Sequence, residues 1–166
     1  MELDVLTGIP DTRLGPVLPD DCAELLVLQR CCWVQEAVAN ETLDIPALRE
    51  SLEDVREWAR TWSVWHVRQG HRMVAAVRAR LVDGDTWELG RLMVAPDLSG
   101  RGLGRWLLAY AEGQAPPAAR KLLLFTGARS IRNIAMYQRA GYRLTEQPVT
   151  VPGHIQLAVS LVKERL

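Results

Sequence analysis

The sequence predicts an α/β domain with a mixed, mostly antiparallel sheet of about six or seven strands and helices on both faces. Apolar residues repeat with helical spacing up to Trp62 and alternate in SVWHVRQ from Ser63 onward. Asp83-Gly84 is a hairpin signal between two strand-like runs. The run KLLLFTGA (121–128) is apolar enough to be buried on both sides of a sheet.

The predicted order of elements is β-α-α-β-β-β-α-β-α-β-β. Strands are expected at 13–18, 63–69, 72–82, 86–95, 121–128, 142–147 and 154–162. Helices are expected at about 21–38, from Asp44 to about Trp62, at about 103–114, and at 130–141, where Gly141 ends the last one. No internal repeat or linker interrupts the chain, so residues 1–166 form one predicted domain.

Composition places the chain among ordinary globular proteins, with 48% hydrophobic and 24% charged residues. No apolar run is long enough to span a bilayer, and the stretch MELDVLTGIP lacks the basic start of a secretory signal. The three cysteines form neither a CxxC motif nor a disulfide framework, which favours a reduced, cytoplasmic setting. The histidines have no metal-ligand spacing with each other or with cysteine, so no metal is expected.

Charge is unevenly distributed although the net charge is zero, a value that argues against a general nucleic-acid binder. Residues 1–60 carry 13 acidic and 5 basic residues, whereas residues 99–143 carry 8 basic residues and one acidic residue. Solvated helix faces could differ in this way by chance. The basic half also contains a glycine cluster, and the coincidence favours a polyanionic small ligand.

That cluster lies in LMVAPDLSGRGLG (92–104), where a strand passes into a helix and glycine occupies positions 100, 102 and 104. A helix N-terminus presents free N–H groups to an anion. A Walker A loop is excluded because Arg105 stands where the lysine after the last glycine belongs. A dinucleotide loop is excluded because neither candidate first glycine has a glycine five positions later.

At these residues the chain resembles the GNAT superfamily of acyl-CoA-dependent N-acyltransferases. The family signature Gln/Arg-x-x-Gly-x-Gly/Ala follows a fourth strand, and here it reads SGRGLG (99–104), with Ser99 departing from the first position. The predicted order of elements is also that of the family. The resemblance implies acetyl-CoA as the donor substrate and coenzyme A as a product.

The resemblance also implies where coenzyme A binds. Its pyrophosphate would meet the glycine loop and helix start, formed by Gly100, Arg101, Gly102, Leu103, Gly104 and Arg105. Its pantetheine arm would pair with the backbone of Leu92, Met93 and Val94, in a gap between the fourth and fifth strands. Arg101 and Arg105 are candidate phosphate partners. The alternative for each is a solvated charge at a helix end.

A second motif lies in SIRNIAMYQRAGY (130–142). The family pattern has Asn, then Tyr seven residues later, then Gly and an aromatic residue; Tyr137 and the Gly-Tyr pair fit, whereas Ser130 replaces the Asn. Ser130, Asn133 and Tyr137 share one helix face. The resemblance implies that Tyr137 donates a proton to the leaving thiolate and that Ser130 and Asn133 bind the cofactor, Asn133 at the pantetheine arm. The alternative is that Tyr137 is an ordinary residue at the edge of the core.

A base must remove a proton from the attacking amine, because an ammonium has no lone pair. Glu88, acting directly or through an ordered water, is the candidate, since some family members carry a Glu at the matching position. Alternation predicts that Glu88 shares a sheet face with Gly90, Leu92 and Val94 and that burial raises its pKa. An exposed Glu beside the hairpin is the alternative. His66 and His154 are weaker candidates for assisting proton transfer.

The acceptor is expected against the first helix, where Trp33 and Glu36 are the candidate contacts. The acidic helices favour a cationic amine of any kind, a protein lysine or N-terminus included. Trp33 and the apolar first helix indicate that an apolar part of the acceptor is also buried, which favours a small cationic or amphipathic primary amine. An amino acid stays open as an acceptor, because an arginine in the pocket would offset the negative field locally. A non-catalytic acyl-CoA sensor and a module that binds basic partners are the other functional alternatives. Either a monomer or a homodimer is compatible with the sequence.

Overall fold

The structure is a computed structural model that describes residues 8–145, 148 and 150–166. Its helices are α1 (Cys22–Asn40), α2 (Pro46–Arg49), α3 (Leu52–Thr61), α4 (Leu103–Gly113) and α5 (Ile131–Arg139). Its strands are β1 (Thr12–Pro16), β2 (Ser63–Gln69), β3 (Arg72–Val82), β4 (Thr86–Val94), β5 (Lys121–Gly127), β6 (Arg143–Leu144) and β7 (Ala158–Glu164). Short 3-10 turns at Pro19–Asp21 and Pro96–Leu98 precede α1 and the glycine loop.

The strands form one seven-stranded sheet in the order β1-β2-β3-β4-β5-β7-β6. All neighbouring strands are antiparallel except β4 and β5, which are parallel. The predicted fold class, a mixed and mostly antiparallel sheet with helices on both faces, is therefore confirmed.

Helices cover both faces of the sheet. On one face, the Trp87 indole N–H donates a hydrogen bond of 3.0 Å to the Ala111 carbonyl of α4. On the other face, the Arg78 guanidinium stacks over Trp58 and Trp62, which lie in and just after α3. A core of buried Leu, Val, Ala and Trp side chains fills the space between the sheet and these helices. None of the helices in the described ranges is both long enough and apolar enough to cross a bilayer.

The helix predicted from Asp44 to Trp62 is interrupted, and this part of the prediction is wrong. Ser51 has extended backbone angles and caps α3: its hydroxyl accepts the Asp54 N–H at 3.2 Å, and its own N–H donates to the Asp54 carboxylate at 2.7 Å. This capping box favours a new helix start over continuation of α2. The break places Glu50 between the two helices.

The last predicted strand, at 154–162, begins late. Leu157 adopts φ 57°, a left-handed conformation that extended strands do not contain, and β7 starts only at Ala158. Residues 154–157 therefore form a loop, and this loop carries His154. Of the strand predicted at 142–147, only β6 is present among the described residues; positions 146 and 147 lie outside them.

Strands β4 and β5 pair only at their beginnings, from Thr86–Glu88 with Lys121–Leu123. Beyond this point β4 also contains a bulge: Gly90 pairs with Arg78 and Met93 with Ala76, so Arg91 and Leu92 together oppose one residue of β3. Arg91 has φ 47°, and after it the side chains of β4 alternate in the opposite order between the two faces of the sheet. The two strands separate here and leave the edge of β4 without a partner strand.

The Trp87–Ala111 hydrogen bond ties the sheet to α4, and its removal should destabilise the fold. We expect Trp87→Phe to lower the free energy of unfolding by about 1–3 kcal/mol, through the lost bond and the lost volume. Trp106→Phe, in a partly exposed residue of α4, is the matched control and should cost less. Urea denaturation measures both, and equal losses would contradict the role assigned to Trp87.

Candidate active site

A cavity of about 1070 Å³, here called the cleft, opens where β4 and β5 separate. Its walls come from α1, β3, β4, the loop before α4, β5, α5 and the loop that holds His154. The cleft therefore brings together the two sequence motifs and the first helix, which are far apart in the chain.

The glycine loop has the geometry that its sequence predicts. Gly100 and Gly102 have φ values of 79° and 87°, which only glycine adopts readily. Gly102 begins α4 without a side-chain cap, so the first N–H groups of the helix are available to a ligand. At Gly104 a Cβ would lie 3.3 Å from the Val94 side chain, so this glycine allows the helix start to approach the end of β4.

Basic side chains surround the mouth of the cleft. Arg105 lines it, as predicted, together with Arg132 and Arg139 of α5. None of these three makes an ion pair among the residues that the structure describes, so their charges are available to an anion. Arg101 is exposed and is not part of the cleft lining.

Two of the three residues at the end of β4 that were predicted to bind the pantetheine arm line the cleft. Leu92 and Val94 line it, whereas Met93 is buried in the core with 1% exposure. The prediction that Glu88 and Gly90 share a face with Leu92 and Val94 is wrong, because the bulge at Arg91 shifts the alternation. Val94 lies against α4, while Gly90 lies against Arg78 on the other face.

Tyr137 is 8% exposed and lines the cleft. Among the described residues no group forms a hydrogen bond with its hydroxyl. Burial, together with the negative charge of Glu36, raises the pKa of the Tyr137 phenol above its usual value. The side chain is therefore neutral at physiological pH and keeps a free O–H to donate.

Contacts between α1 and α5 close one side of the cleft. The Ser130 hydroxyl donates to Glu36, and the Asn133 amide donates to the other Glu36 oxygen at 2.8 Å. The Asn40 amide donates to Ser130 Oγ at 2.9 Å. A Cβ at Gly127 would overlap with the Asn40 side-chain amide, so this glycine is required for α1 to approach so closely. The predicted acceptor residue Glu36 thus contacts the two predicted cofactor residues.

Glu88 is 6% exposed, but its environment differs from the prediction. Burial would raise the pKa of this carboxyl, yet hydrogen bonds and charge from His154 and Arg80 outweigh burial, and the pKa is lowered. The expected upward shift is therefore wrong. Arg80 Nε lies 3.0 Å from one oxygen and His154 Nε2 lies 3.7 Å from the other.

His154, rather than Glu88, lines the cleft. Its ring packs against Phe125 with centroids 4.6 Å apart and faces the Glu88 carboxylate with Nε2. The sequence contained little indication of this position, because His154 was expected to begin a strand. His66 lies elsewhere, with Nδ1 2.7 Å from the Gly15 carbonyl.

Two buried arginines that sequence analysis did not single out line the inner end of the cleft. Arg91 pairs with Glu50 at 2.5 Å and lies 5.4 Å from the ring centre of Trp33, the predicted acceptor residue. Arg78 stacks on Trp58 and Trp62. The only trace of them in the sequence is the presence of arginines in otherwise apolar strands.

The Cys32 thiol lies beside the cleft but is not a reactive nucleophile. It donates to the Val94 carbonyl at 3.2 Å, and burial raises its pKa to about 12, so it is not a thiolate at physiological pH. Within the described part of the chain, no group of three or more His, Cys, Asp or Glu side chains is arranged to hold a metal ion.

Comparison with known proteins supports the fold and gives the family of the chain. The sequence model of the acetyltransferase (GNAT) family matches residues 23–142. No curated protein sequence matches the chain significantly.

Several solved structures share the fold. An acetyltransferase from Thermus thermophilus is 22% identical with a TM-score of 0.71, covering 95% of this chain and 99% of that one. The structure of yncA from Salmonella typhimurium with its cofactor acetyl-CoA is 18% identical with a TM-score of 0.69, covering 93% and 94%. The PaiA N-acetyltransferase from Thermoplasma acidophilum in complex with coenzyme A is 13% identical with a TM-score of 0.68, covering 93% and 99%.

The lowered pKa of Glu88 predicts how its contribution to stability depends on pH. Because the folded-state pKa lies below the unfolded value of about 4.3, the ionised carboxylate stabilises the fold above that pH and loses this effect as pH falls through the folded pKa. We expect Glu88→Gln to cost about 1 kcal/mol at pH 7, a small value because Arg80 is nearly half exposed, and less at about pH 3.5.

Urea denaturation of wild type and Glu88→Gln at both pH values measures the difference. Glu53→Gln is the matched control, because Glu53 is an exposed residue 3.8 Å from Arg56 and should change stability little at either pH. A cost for Glu88→Gln that stays constant between the two pH values would show that the carboxylate charge is not responsible.

Proposed function

Because the chain belongs to the acetyltransferase (GNAT) family, we propose that it transfers the acetyl group of acetyl-CoA to the nitrogen of a primary amine. One observation carries the proposal: a single cleft contains the glycine loop, the unpaired edge of β4 and the free hydroxyl of Tyr137. These features match the three parts of the donor, namely its pyrophosphate, its pantetheine arm and its sulfur.

The donor fits the cleft by charge and by backbone geometry. The N–H groups at the start of α4 and the guanidinium groups of Arg105, Arg132 and Arg139 favour the pyrophosphate. The edge of β4 at Leu92–Val94 has backbone groups without a partner strand, to which the amides of the pantetheine arm can bond. The solved structures of yncA and PaiA, with acetyl-CoA and coenzyme A respectively, support this choice of donor.

The reaction needs one proton to leave the amine and one to reach the sulfur. The amine lone pair attacks the thioester carbonyl carbon, the C–N bond forms, and the C–S bond breaks to release the thiolate. We assign the removal of the amine proton to His154, whose ring lines the cleft. Glu88 acts through His154 as a positioning residue, because its carboxylate faces Nε2 and is not itself part of the cleft lining.

Tyr137 stabilises the leaving thiolate by donating a hydrogen bond from its free O–H. Burial raises the pKa of the Tyr137 phenol well above that of a thiol, so complete transfer of the phenol proton to the thiolate is unfavourable. The thiolate is finally protonated by a proton equivalent to the one that the amine releases. Ser130 and Asn133 hold α5, and hence Tyr137, against α1 through Glu36.

The acceptor enters on the side of α1, where Trp33 and Ile155 supply apolar contacts in the cleft. We propose a small primary amine rather than a protein, because Arg78 and Arg91, which line this part of the cleft, are both buried. The acidic helices attract cations less than their sequence predicts, since Glu24 and Glu50 pair with arginines.

Tyr137→Phe separates donor binding from chemistry. We expect kcat to fall about 100-fold while the affinity for acetyl-CoA is unchanged, because the hydroxyl contacts the sulfur only as charge develops on it. Thiol release measures the rate, and the rise in Tm with millimolar acetyl-CoA measures binding. Tyr110→Phe, which lies on α4 outside the cleft lining, is the matched control.

An unchanged rate would remove Tyr137 from the mechanism. Stabilisation of the wild type by ATP or NAD but not by acetyl-CoA would overturn the proposed function itself.

His154→Gln tests the base. We expect kcat/KM to fall about 100-fold or more and the acid limb of the pH–rate profile to disappear, because glutamine cannot accept the proton. Glu88→Gln should lower kcat/KM less than His154→Gln, because the imidazole that accepts the proton remains. His71→Gln, at the turn between β2 and β3, is the matched control. A profile unchanged in His154→Gln would assign the base to another group.

A further inference from the structure

Arg78 is a buried cation without a counterion. Its residue is 7% exposed, its Nε is buried without a hydrogen-bond partner, and no ion pair involves it among the described residues. Its guanidinium stacks 4.6 Å from the ring centre of Trp58 and 4.1 Å from that of Trp62. These ring contacts orient the guanidinium, and within the described part of the chain no acceptor bonds to its in-plane N–H groups.

The neighbouring charges do not compensate for it. Arg80 is paired with Glu88, and Arg91 is paired with Glu50. One positive charge, that of Arg78, is therefore in excess at this end of the cleft. Burial, and then repulsion by Arg91, lowers the pKa of Arg78 to about 9, against the weaker opposing effect of Glu50 and Glu88.

The Arg78 side chain also borders the cleft. Position 90 of β4, directly opposite Arg78, is glycine, and a Cβ there would lie 3.6 Å from Arg78 Nε. Any larger side chain would cover the guanidinium. Gly90 and Arg78 both line the cleft, so a small molecule in the cleft can reach the charge.

We infer that Arg78 binds a carboxylate of the acceptor, so that the substrate is a primary amine that also carries a carboxylate group, of the α-amino acid class. This inference rests on the proposed function. A planar guanidinium with free N–H groups matches a carboxylate in two parallel hydrogen bonds. An incoming carboxylate would also balance the one excess charge.

The position of the base fits the same acceptor. Glu88, which faces His154, lies two residues from Gly90, or about 7 Å along the strand. A carboxylate held by Arg78 thus leaves the amine of the same small molecule near His154. A purely cationic amine, by contrast, would bring a second positive charge towards Arg78 and Arg91.

Matched acceptors test the inference. The assay measures thiol release and acetylated product for three series: L-amino acids, their α-amides, and the corresponding decarboxylated amines, together with a lysine peptide. We expect kcat/KM for the acids to exceed that for the amides at least about 10-fold in the wild type. Equal or better use of the amides, the amines or the peptide would overturn the inference while leaving N-acetyl transfer to amines intact.

Variants at the two facing positions show whether Arg78 is the cause. Arg78→Met should lower kcat/KM for the acids about 10- to 100-fold and leave the amides nearly unchanged. Gly90→Val, which covers the guanidinium from the opposite strand, should have the same selective effect and does not depend on how Arg78→Met folds. Arg56→Met, an exposed arginine of α3, is the matched control. An equal loss for acids and amides in both variants would show a purely structural role.

A binding measurement tests the carboxylate site even if no acceptor is acetylated. In the presence of coenzyme A, an amino acid should raise the Tm of the wild type but not of Arg78→Met. If no acceptor is acetylated and this shift is still found, the proposed amine transfer fails and the carboxylate site stands. If neither turnover nor a shift is found with amino acids, the inference is overturned.

Discussion

The site depends on one constraint: β4 and β5 are parallel neighbours that pair for only three residues each. A strand edge inside a sheet needs hydrogen-bond partners, because unpaired backbone groups are costly when buried. The separation of the strands leaves such an edge on β4 and creates the cleft in the middle of the domain. The bulge at Arg91 bends β4 at the same place, so the strand that forms the floor of the cleft also changes which side chains it presents.

A separated sheet needs other contacts to hold its two parts together. Helix α1 provides them: Glu36 and Asn40 contact Ser130 and Asn133 across the opening. The close approach is possible because residue 127 is glycine. Beside Ser130, where the motif led us to expect an Asn, lies the Asn40 amide of α1. The position of α5 against α1, and with it that of Tyr137, follows from this cross-helix contact.

The sequence predicted what short-range patterns determine. The glycine loop, the fifth strand and the helix that carries Tyr137 were all predicted from local spacing, and the fold class followed from their order. The prediction that the fifth strand is buried on both sides is wrong, because only Leu122, Leu124 and Gly127 of β5 are buried and its other residues are partly exposed. It could not predict the bulge at Arg91 or the left-handed Leu157, because neither residue type favours φ above zero. These two positions decide which faces Glu88 and Leu92 take and place His154 in a loop, so the details of the base and of the acceptor pocket required the structure.

Arg78 is a second case in which the sequence alone was not enough, because its energetic cost depends on which partners the fold brings near it. An arginine inside an apolar strand violates the rule that buried charges are paired, and sequence patterns alone cannot show whether a partner exists. In the folded chain the carboxylates nearby already have their own arginines. The cost of burying the unpaired guanidinium is partly offset by two tryptophan rings, and it falls further when an anion enters the cleft. Selectivity for such an acceptor would then come from a charge that the fold itself leaves unsatisfied.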